Sequence, residues 1–327
     1  MNNNIRRWRE ARGLSQEALG RLVGLSKPTI SKLERGGLHL RDVTIAKLVD
    51  ALDVTAGELL GDFANAPPAV AAAPRSSGPA ADGETDFGFR RVARDQKPRL
   101  VGGVFTSVAR RYDLMNDLMS VGVHRLWKSE MVDWLRPRAG LHLVDVAGGT
   151  GDIALRVLER TSGAVRIAVC DANEAMLQVG RDRALDRGVC TAIDWLCGDA
   201  ERLPFADAST DAYTIAFGIR NVTRIDAALA EARRVLRPGG RFLCLEFSRV
   251  AVPGLGALYD AYSFEVLPAL GEVVAGDRAA YRYLAESIRT FPDQERFAAM
   301  IAAAGLGNVS YRNLSGGIAA LHSAWRI

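Results

Sequence analysis

The chain has 327 residues, 48% of them apolar and 24% charged, with a net charge of +4. So much apolar material excludes a disordered chain, and the length suggests about two domains. The charge is mildly basic and on its own argues neither for nor against nucleic acid as a partner. Cys170, Cys190, Cys197 and Cys244 form no C-x-x-C pair, and no H-E-x-x-H pattern accompanies the 4 histidines, so no metal site is expected. The cysteines read as reduced core thiols of a cytoplasmic protein. Met1 to Trp8 has no apolar signal-peptide core, and no run approaches the roughly 20 apolar residues of a membrane span.

Residues 1–63 read as five short helices, over 2–11, from Ser15 onward, over 27–35, over 43–52 and over 56–60. Ser15 stands as an N-cap ahead of Ala18, Leu19, Leu22 and Val23, and Pro28 sits at a helix start, where its missing N–H costs nothing. Between the second and third helices lies the turn Gly24-Leu25-Ser26. The stretch from Gly13 to Gly36 resembles the Cro/CI-type (XRE) helix-turn-helix. That resemblance implies DNA binding as a dimer on a palindromic site, with the second helix of the pair in the major groove. Lys27, Pro28, Thr29 and Lys32 would then face base edges and Gln16 a backbone phosphate. Against this stands a thin electrostatic footprint, since 10 Lys and Arg face 8 Asp and Glu over 1–63. A helical bundle that does not bind DNA is the competing reading.

Residues 64–86 are rich in Pro, Ala, Ser and Gly without periodicity and read as a flexible tether. The remainder, 87–327, is organised around Leu143-Val144-Asp145-Val146-Ala147-Gly148-Gly149-Thr150-Gly151-Asp152. An apolar run ends on an acid, breaks into three glycines and resumes with helical spacing, which reads as strand, tight turn and helix N-terminus. The spacing is neither G-x-G-x-x-G nor a P-loop. A second strand, 165–170, ends at Asp171, where an acid can accept from ribose hydroxyls. A third, 193–197, leads to Gly198-Asp199-Ala200, with Asp199 placed for an adenine amino group. A fourth (212–217), a helix (225–236), a turn at 237–240 and a fifth strand (241–247) follow. Strands over 308–314 and 318–325 close the sheet as an antiparallel pair.

This order resembles class I S-adenosylmethionine-dependent methyltransferases, an α/β fold with a Rossmann-like seven-stranded sheet, here preceded by a small all-α domain. Longer strings narrow it: VFTSVARRYDLMND, HRLWK, DVAGGTGD, FGIRNV, RVLRPGGRFLCLEFS and YRYLAESIRTFPDQE resemble the UbiE/COQ5 quinone C-methyltransferases over 87–327. The resemblance implies methylation of a ring carbon of a polyprenyl quinol, either 2-polyprenyl-6-methoxy-1,4-benzoquinol or demethylmenaquinol, with S-adenosylmethionine as cofactor. Gly148, Gly149, Thr150, Gly151, Asp171, Asp199, Ala200 and Ala216 match its cofactor-binding positions, Ala216 standing where the family often has serine. Arg220 matches an arginine assigned to proton removal through water. Because arginine stays protonated, it reads here as orienting water or the phenolate. Tyr112, Asp113, Asn116 and His124 are further candidates for the acceptor side, Tyr112 and His124 with packing in a helical cap as an equal alternative.

The apolar stretch within 252–292, from Leu255 to Val274, reads as cap core or as a channel for the prenyl tail. Peripheral contact with the inner face of the membrane, contact with a quinone-biosynthesis complex and a homodimer stay open. The rival from another class is a transcriptional regulator whose second domain only senses quinol or cofactor. An NAD oxidoreductase is disfavoured by the missing G-x-G-x-x-G.

Overall fold

The computed structural model describes residues 5–12, 14–35, 47–49, 51, 52, 54, 83–109, 112–120, 122–251, 263 and 278–327. The chain divides into two compact units, Met1–Pro79 and Ala80–Ile327.

In the first unit, α1 (Ile5–Ala11), α2 (Gln16–Val23) and α3 (Lys27–Glu34) are each set by local chemistry. Ser15 Oγ accepts the Ala18 amide at the start of α2, Gly24 ends it at φ +71°, and Ser26 Oγ accepts the Thr29 amide at the start of α3. Ile5, Leu19, Ile30, Leu48 and Leu52 are fully buried together. Residues 47–49, 51 and 52 are helical, as expected of 43–52, whereas the helix expected at 56–60 lies outside the described residues.

The second unit opens with a feature that the sequence reading missed, an antiparallel hairpin of β1 (Glu84–Phe87) and β2 (Arg90–Ala93). Residues 84–86 of the expected tether are therefore strand, and the rest of the tether except Gly83 lies outside the described residues. Gly88, at φ +60°, supplies the left-handed residue that a two-residue hairpin turn needs. Three helices follow, α4 (Lys97–Val108), α5 (Tyr112–Ser120) and α6 (His124–Leu135).

The sheet contains β3 (His142–Val146), β4 (Arg166–Asp171), β5 (Ile193–Cys197), β6 (Thr210–Ala216), β7 (Leu236–Phe247), β8 (Gly307–Leu314) and β9 (Ala319–Trp325). Their spatial order is β5-β4-β3-β6-β7-β9-β8; the first five are parallel, while β9 pairs antiparallel with both β7 and β8. Among the described residues the unit also has the helices α7 (Asp152–Arg160), α8 (Glu174–Asp186), α9 (Ile225–Val235), α10 (Arg278–Thr290) and α11 (Gln294–Ala303). Central strands such as β3 and β7 are apolar on both faces because helices cover both. Two clusters result, one around Met131, Ile153, Leu243 and Tyr281, the other around Tyr213, Leu229, Phe242 and Phe297.

The expected turn at 237–240 is instead an irregularity inside β7, where pairing jumps from Leu236 opposite Thr210 to Arg241 opposite Ala212. The expectation of four core thiols holds for Cys170 and Cys244 and fails for Cys190 and Cys197, which are exposed near strand and loop ends. Apart from Ser263, residues 252–277, with the proposed tail channel, lie outside the described residues. Among the described residues no helix is long and apolar enough to cross a membrane.

Candidate active site

Strand order reverses between β3 and β6, and the carboxyl ends of strands flanking such a switch point are where α/β sheets take ligands. A cavity of about 1240 Å³, its open mouth included, lies there. It is lined by 145, 147–150, 152 and 153 after β3, by 171–173 after β4, by 198–201 after β5 and by 216–218 and 221–223 after β6. The expected cofactor residues Gly148, Gly149, Thr150, Asp171, Asp199, Ala200 and Ala216 all line it. Gly151 does not line it; it N-caps α7 at φ +73°.

Asp171 ties β4 to the glycine loop. Its Oδ2 accepts the Gly149 amide at 2.9 Å and its Oδ1 the Asn173 amide at 2.8 Å. Burial nevertheless dominates and pushes its pKa up to about 6. Further lone pairs remain on each oxygen for a ligand hydroxyl. Asp199 is exposed at the rim, where its Oδ1 accepts the Glu201 amide at 2.9 Å. At the end of β3, Asp145 is 1% exposed; Oδ1 accepts from Thr214 Oγ1 at 2.7 Å, and among the described residues Oδ2 has no hydrogen-bond partner. Burial raises its pKa to about 7.

Helix α4 forms a wall of the cavity through Pro98, Val101, Gly102 and Phe105. Asn173 holds it in place, donating from Nδ2 to Gly102 O at 3.1 Å and Thr106 Oγ1 at 3.0 Å, while Asn173 Oδ1 caps α8. The first residue of α4, Lys97, is tied to the far side of the cavity, its Nζ donating to Val222 O at 3.0 Å, while the hairpin docks on α10 through the Phe87 and Tyr283 rings, stacked at 4.2 Å.

A cradle suited to the expected cofactor is present. A Cβ at Gly148 would stand 2.8 Å from Asp145 Oδ2 and 2.8 Å from Val169 Cγ1, so only glycine lets the loop pack directly on β3 and β4 at the cavity's edge. An unpartnered buried carboxylate oxygen beside that cradle is the kind of orphan that a bound polar group satisfies.

Arg220 does not line this cavity. It lies on the 3-10 turn Ile219–Asn221, where its Nη1 donates to Glu246 Oε1 at 2.7 Å and to Phe217 O at 2.6 Å. Both side chains of the pair are 1% exposed. Burial pushes the Glu246 carboxyl up, against the pull of Arg220. The neighbouring Asn221 does line the cavity and accepts from Tyr283 Oη at 2.9 Å. Asn116, on α5, is 1% exposed, and among the described residues neither atom of its amide has a hydrogen-bond partner. His124 packs in the cap, its Nε2 2.9 Å from Asp117 Oδ1. Tyr112 and Asp113 begin α5, and their side chains lie outside the described residues. Glu246, Lys128 and Trp195 were missed by the sequence reading; Glu246 ends an apolar strand as Asp145 does, which is the signal that could have found it.

On α3 of the first unit, Lys27, Pro28 and Lys32 are exposed, and Thr29 Oγ1 is 2.8 Å from Ser26 Oγ. Gln16, expected near a phosphate, donates from Nε2 to Glu34 Oε2 at 2.8 Å. Glu34 is also ion-paired with Arg9 at 2.5 Å. Gln16 thus joins a buried network binding α1, α2 and α3 together.

The model for the ubiE/COQ5 methyltransferase family matches residues 90–326, and a helix-turn-helix model matches 5–59. The chain is 64% identical over 244 residues to the ubiquinone/menaquinone biosynthesis C-methyltransferase UbiE of Paracoccus denitrificans, covering 75% of this chain and 97% of that protein. The proteins of the same name from Dinoroseobacter shibae and Methylobacterium nodulans are 59% and 61% identical, covering 75% and 74% of this chain and 98% and 97% of theirs. With its glycine loop, paired acids and reversed strand order in place, the chain belongs to the ubiE/COQ5 methyltransferase family.

Proposed function

We propose that the second unit methylates a ring carbon of a polyprenyl quinol, a benzoquinol of ubiquinone biosynthesis, a naphthoquinol of menaquinone biosynthesis, or both. The 64% identity to the Paracoccus protein across nearly all of that protein's length carries this reading. S-adenosylmethionine, the cofactor of the family, supplies a methyl group already activated on a sulfonium sulfur. The chain's task is therefore to hold donor and acceptor in line and to keep water out.

The glycine loop seats the cofactor's methionine part, Asp171 its ribose, and Asp199 with Ala200 its adenine. Helix α4 covers it. On the acceptor side the ring carbon becomes nucleophilic as a phenolic proton leaves, so a proton acceptor within reach is needed. Paired to the buried Glu246 carboxylate, Arg220 fixes the turn that carries Asn221 to the cavity. Tyr112, Asp113 and Asn116 are assigned to the quinol; the orphaned Asn116 amide supports this, since a buried amide without partners suits an oxygen-bearing ligand.

A strain lacking the gene tests the reading. It should accumulate quinones short of one ring methyl, and both the full chain and a chain starting at Ala80 should restore the normal profile by mass spectrometry. A normal profile without the gene, in a strain with no second copy of the activity, would contradict it.

Acidification should weaken binding of the product S-adenosylhomocysteine. Asp145 faces Thr214, Lys128 and Asp152, and Asp171 faces the Gly149 and Asn173 amides. As pH falls through about 7 and then about 6, each carboxylate takes up a proton and loses the charge that ligand donors seek. Calorimetry should show affinity highest above about pH 8 and falling by roughly tenfold for each carboxylate neutralised. A flat profile down to about pH 5 would mean neither acid contacts the ligand.

For the first unit, α3 is proposed to enter a DNA major groove through Lys27, Pro28, Thr29 and Lys32. The full chain should shift a palindromic fragment from its own upstream region at low salt. Lys32→Ala should weaken the shift, and salt should abolish it. No shift at low salt would leave this unit a passive appendage.

A further inference from the structure

Tyr283 lies on α10 and is 5% exposed. Its hydroxyl reaches the 3-10 turn after β6 and donates to Asn221 Oδ1 at 2.9 Å. Burial raises the Tyr283 pKa well above the ordinary phenol range, so the group keeps its proton and acts as a donor. The ring is held as well, stacked on Phe87 at 4.2 Å with the planes 21° apart. The backbone beyond Asn221 is pinned from two further elements: Lys97 Nζ of α4 donates to Val222 O at 3.0 Å, and Thr85 Oγ1 of the hairpin donates to Thr223 O at 3.4 Å. Residues 221–223 line the cavity, so α10, α4 and the hairpin all fix one short piece of its wall.

A side-chain amide has an acceptor end and a donor end, and a flip about its last bond exchanges them. With Oδ1 taken by Tyr283, the Nδ2 end of Asn221 is left for the cavity, and among the described residues it has no hydrogen-bond partner. Arg220 cannot serve in its place: Nη1 is committed to Glu246 and Phe217 O, and the residue does not line the cavity. Methylation at carbon moves charge in one direction. The S–CH3 bond breaks and the C–CH3 bond forms with an electron pair of a ring whose phenolic oxygen has given up its proton. The ring carbon then loses its own proton as the oxygen regains one, so one proton is released in all. A fixed N–H donor at that oxygen stabilises the developing charge, whereas a flipped amide presents a lone pair to it.

We infer that Tyr283 is a positioning residue for methyl transfer, holding the Asn221 amide so that its Nδ2 donates to the quinol oxygen that loses its proton. The inference rests on the quinol reading of the second unit. Stacking on Phe87 alone would be served by a phenylalanine at 283; the hydroxyl is what sets the direction of the amide.

Tyr283→Phe tests this, because it keeps a ring on Phe87 and removes only the hydroxyl. In the full-length chain, kcat for a reduced quinol should fall roughly tenfold at neutral pH, with KM for the quinol and affinity for S-adenosylhomocysteine within about twofold of wild type. The gap in kcat should narrow at alkaline pH, where the phenolic proton leaves more readily, and a packing role for the hydroxyl would not produce that. Asn221→Ala should lose more, roughly 10²–10³-fold in kcat. Adding Tyr283→Phe to it should change nothing further, since the hydroxyl acts through that amide. The inference is overturned if Tyr283→Phe leaves kcat unchanged, if its loss multiplies with that of Asn221→Ala, or if the loss is the same at every pH. It is equally overturned if affinity for S-adenosylhomocysteine falls as far as kcat, the mark of a loosened cavity. A wild-type chain that methylates neither reduced benzoquinol nor reduced naphthoquinol would bring down the quinol reading first, and this inference with it.

Discussion

Glu246→Ala is expected to lower the unfolding free energy by about 3–5 kcal/mol, because it strands a guanidinium where water cannot reach it. Arg220 and Glu246 are each 1% exposed at the side chain, and Glu246 is the charged partner that Arg220 meets at 2.7 Å. Domains of this kind hold roughly 5–15 kcal/mol in all, so the variant should unfold at a much lower urea concentration. Glu246→Gln, which retains an acceptor, should lose less. The informative control replaces both members by apolar residues, Arg220→Met with Glu246→Leu. Buried pairs are often no more stabilising than apolar substitutes, so this double variant should recover most of the stability. It should not recover methyl transfer, since the turn carrying Asn221 to the cavity loses its anchor. A Glu246→Ala chain with an unchanged urea midpoint would show that the pair is not buried as described.

Gly151→Ala is the second change expected to be severe. Its backbone has φ +73°, a left-handed conformation that costs an L-residue roughly 1–2 kcal/mol. The new Cβ would also stand 2.5 Å from Cη2 of Trp195. That indole cannot retreat, because a Cβ built on Gly180 would lie 2.4 Å from its Cζ3: α8 presses on the ring from its other contact. Overpacking of this kind adds about 1–3 kcal/mol. Together the two terms predict a loss of several kcal/mol in unfolding experiments, with cofactor affinity down by at least about tenfold because the loop must move. Gly163→Ala, also at positive φ but with no atom within 4 Å of its Cβ, is the control for backbone strain alone. Equal losses in the two variants would remove the role given to Trp195.

The sheet was legible in the sequence because its signals are local. Each parallel strand is a short apolar run ending at a turn, and the acids Asp145, Asp171 and Asp199 punctuate three of those ends. The hairpin before α4 was not legible. Its strands have 4 residues each, and it is held by partners far along the chain: Tyr283 stacks on Phe87, and Glu286 accepts the Phe89 amide at 3.1 Å. For the site, the glycine loop and its acids were readable as a motif, while Lys128 and Glu246 were not, because their importance lies in what they face across the fold. Gln16 shows the converse. Family pattern placed it toward DNA, and its hydrogen bond to Glu34, 18 residues away, was not readable from that pattern.

The most direct test of the central claim is methyl transfer in vitro. The full-length chain would be incubated with S-adenosylmethionine bearing a deuterated methyl group and with chemically reduced benzoquinol and naphthoquinol acceptors, and the products read by mass spectrometry. The account predicts one labelled methyl on a ring carbon of at least one acceptor, and none on the oxidised quinone, which has no phenolic proton to lose. Tight binding of S-adenosylhomocysteine with no label on either reduced acceptor would contradict it, and would make this unit a sensor instead of an enzyme.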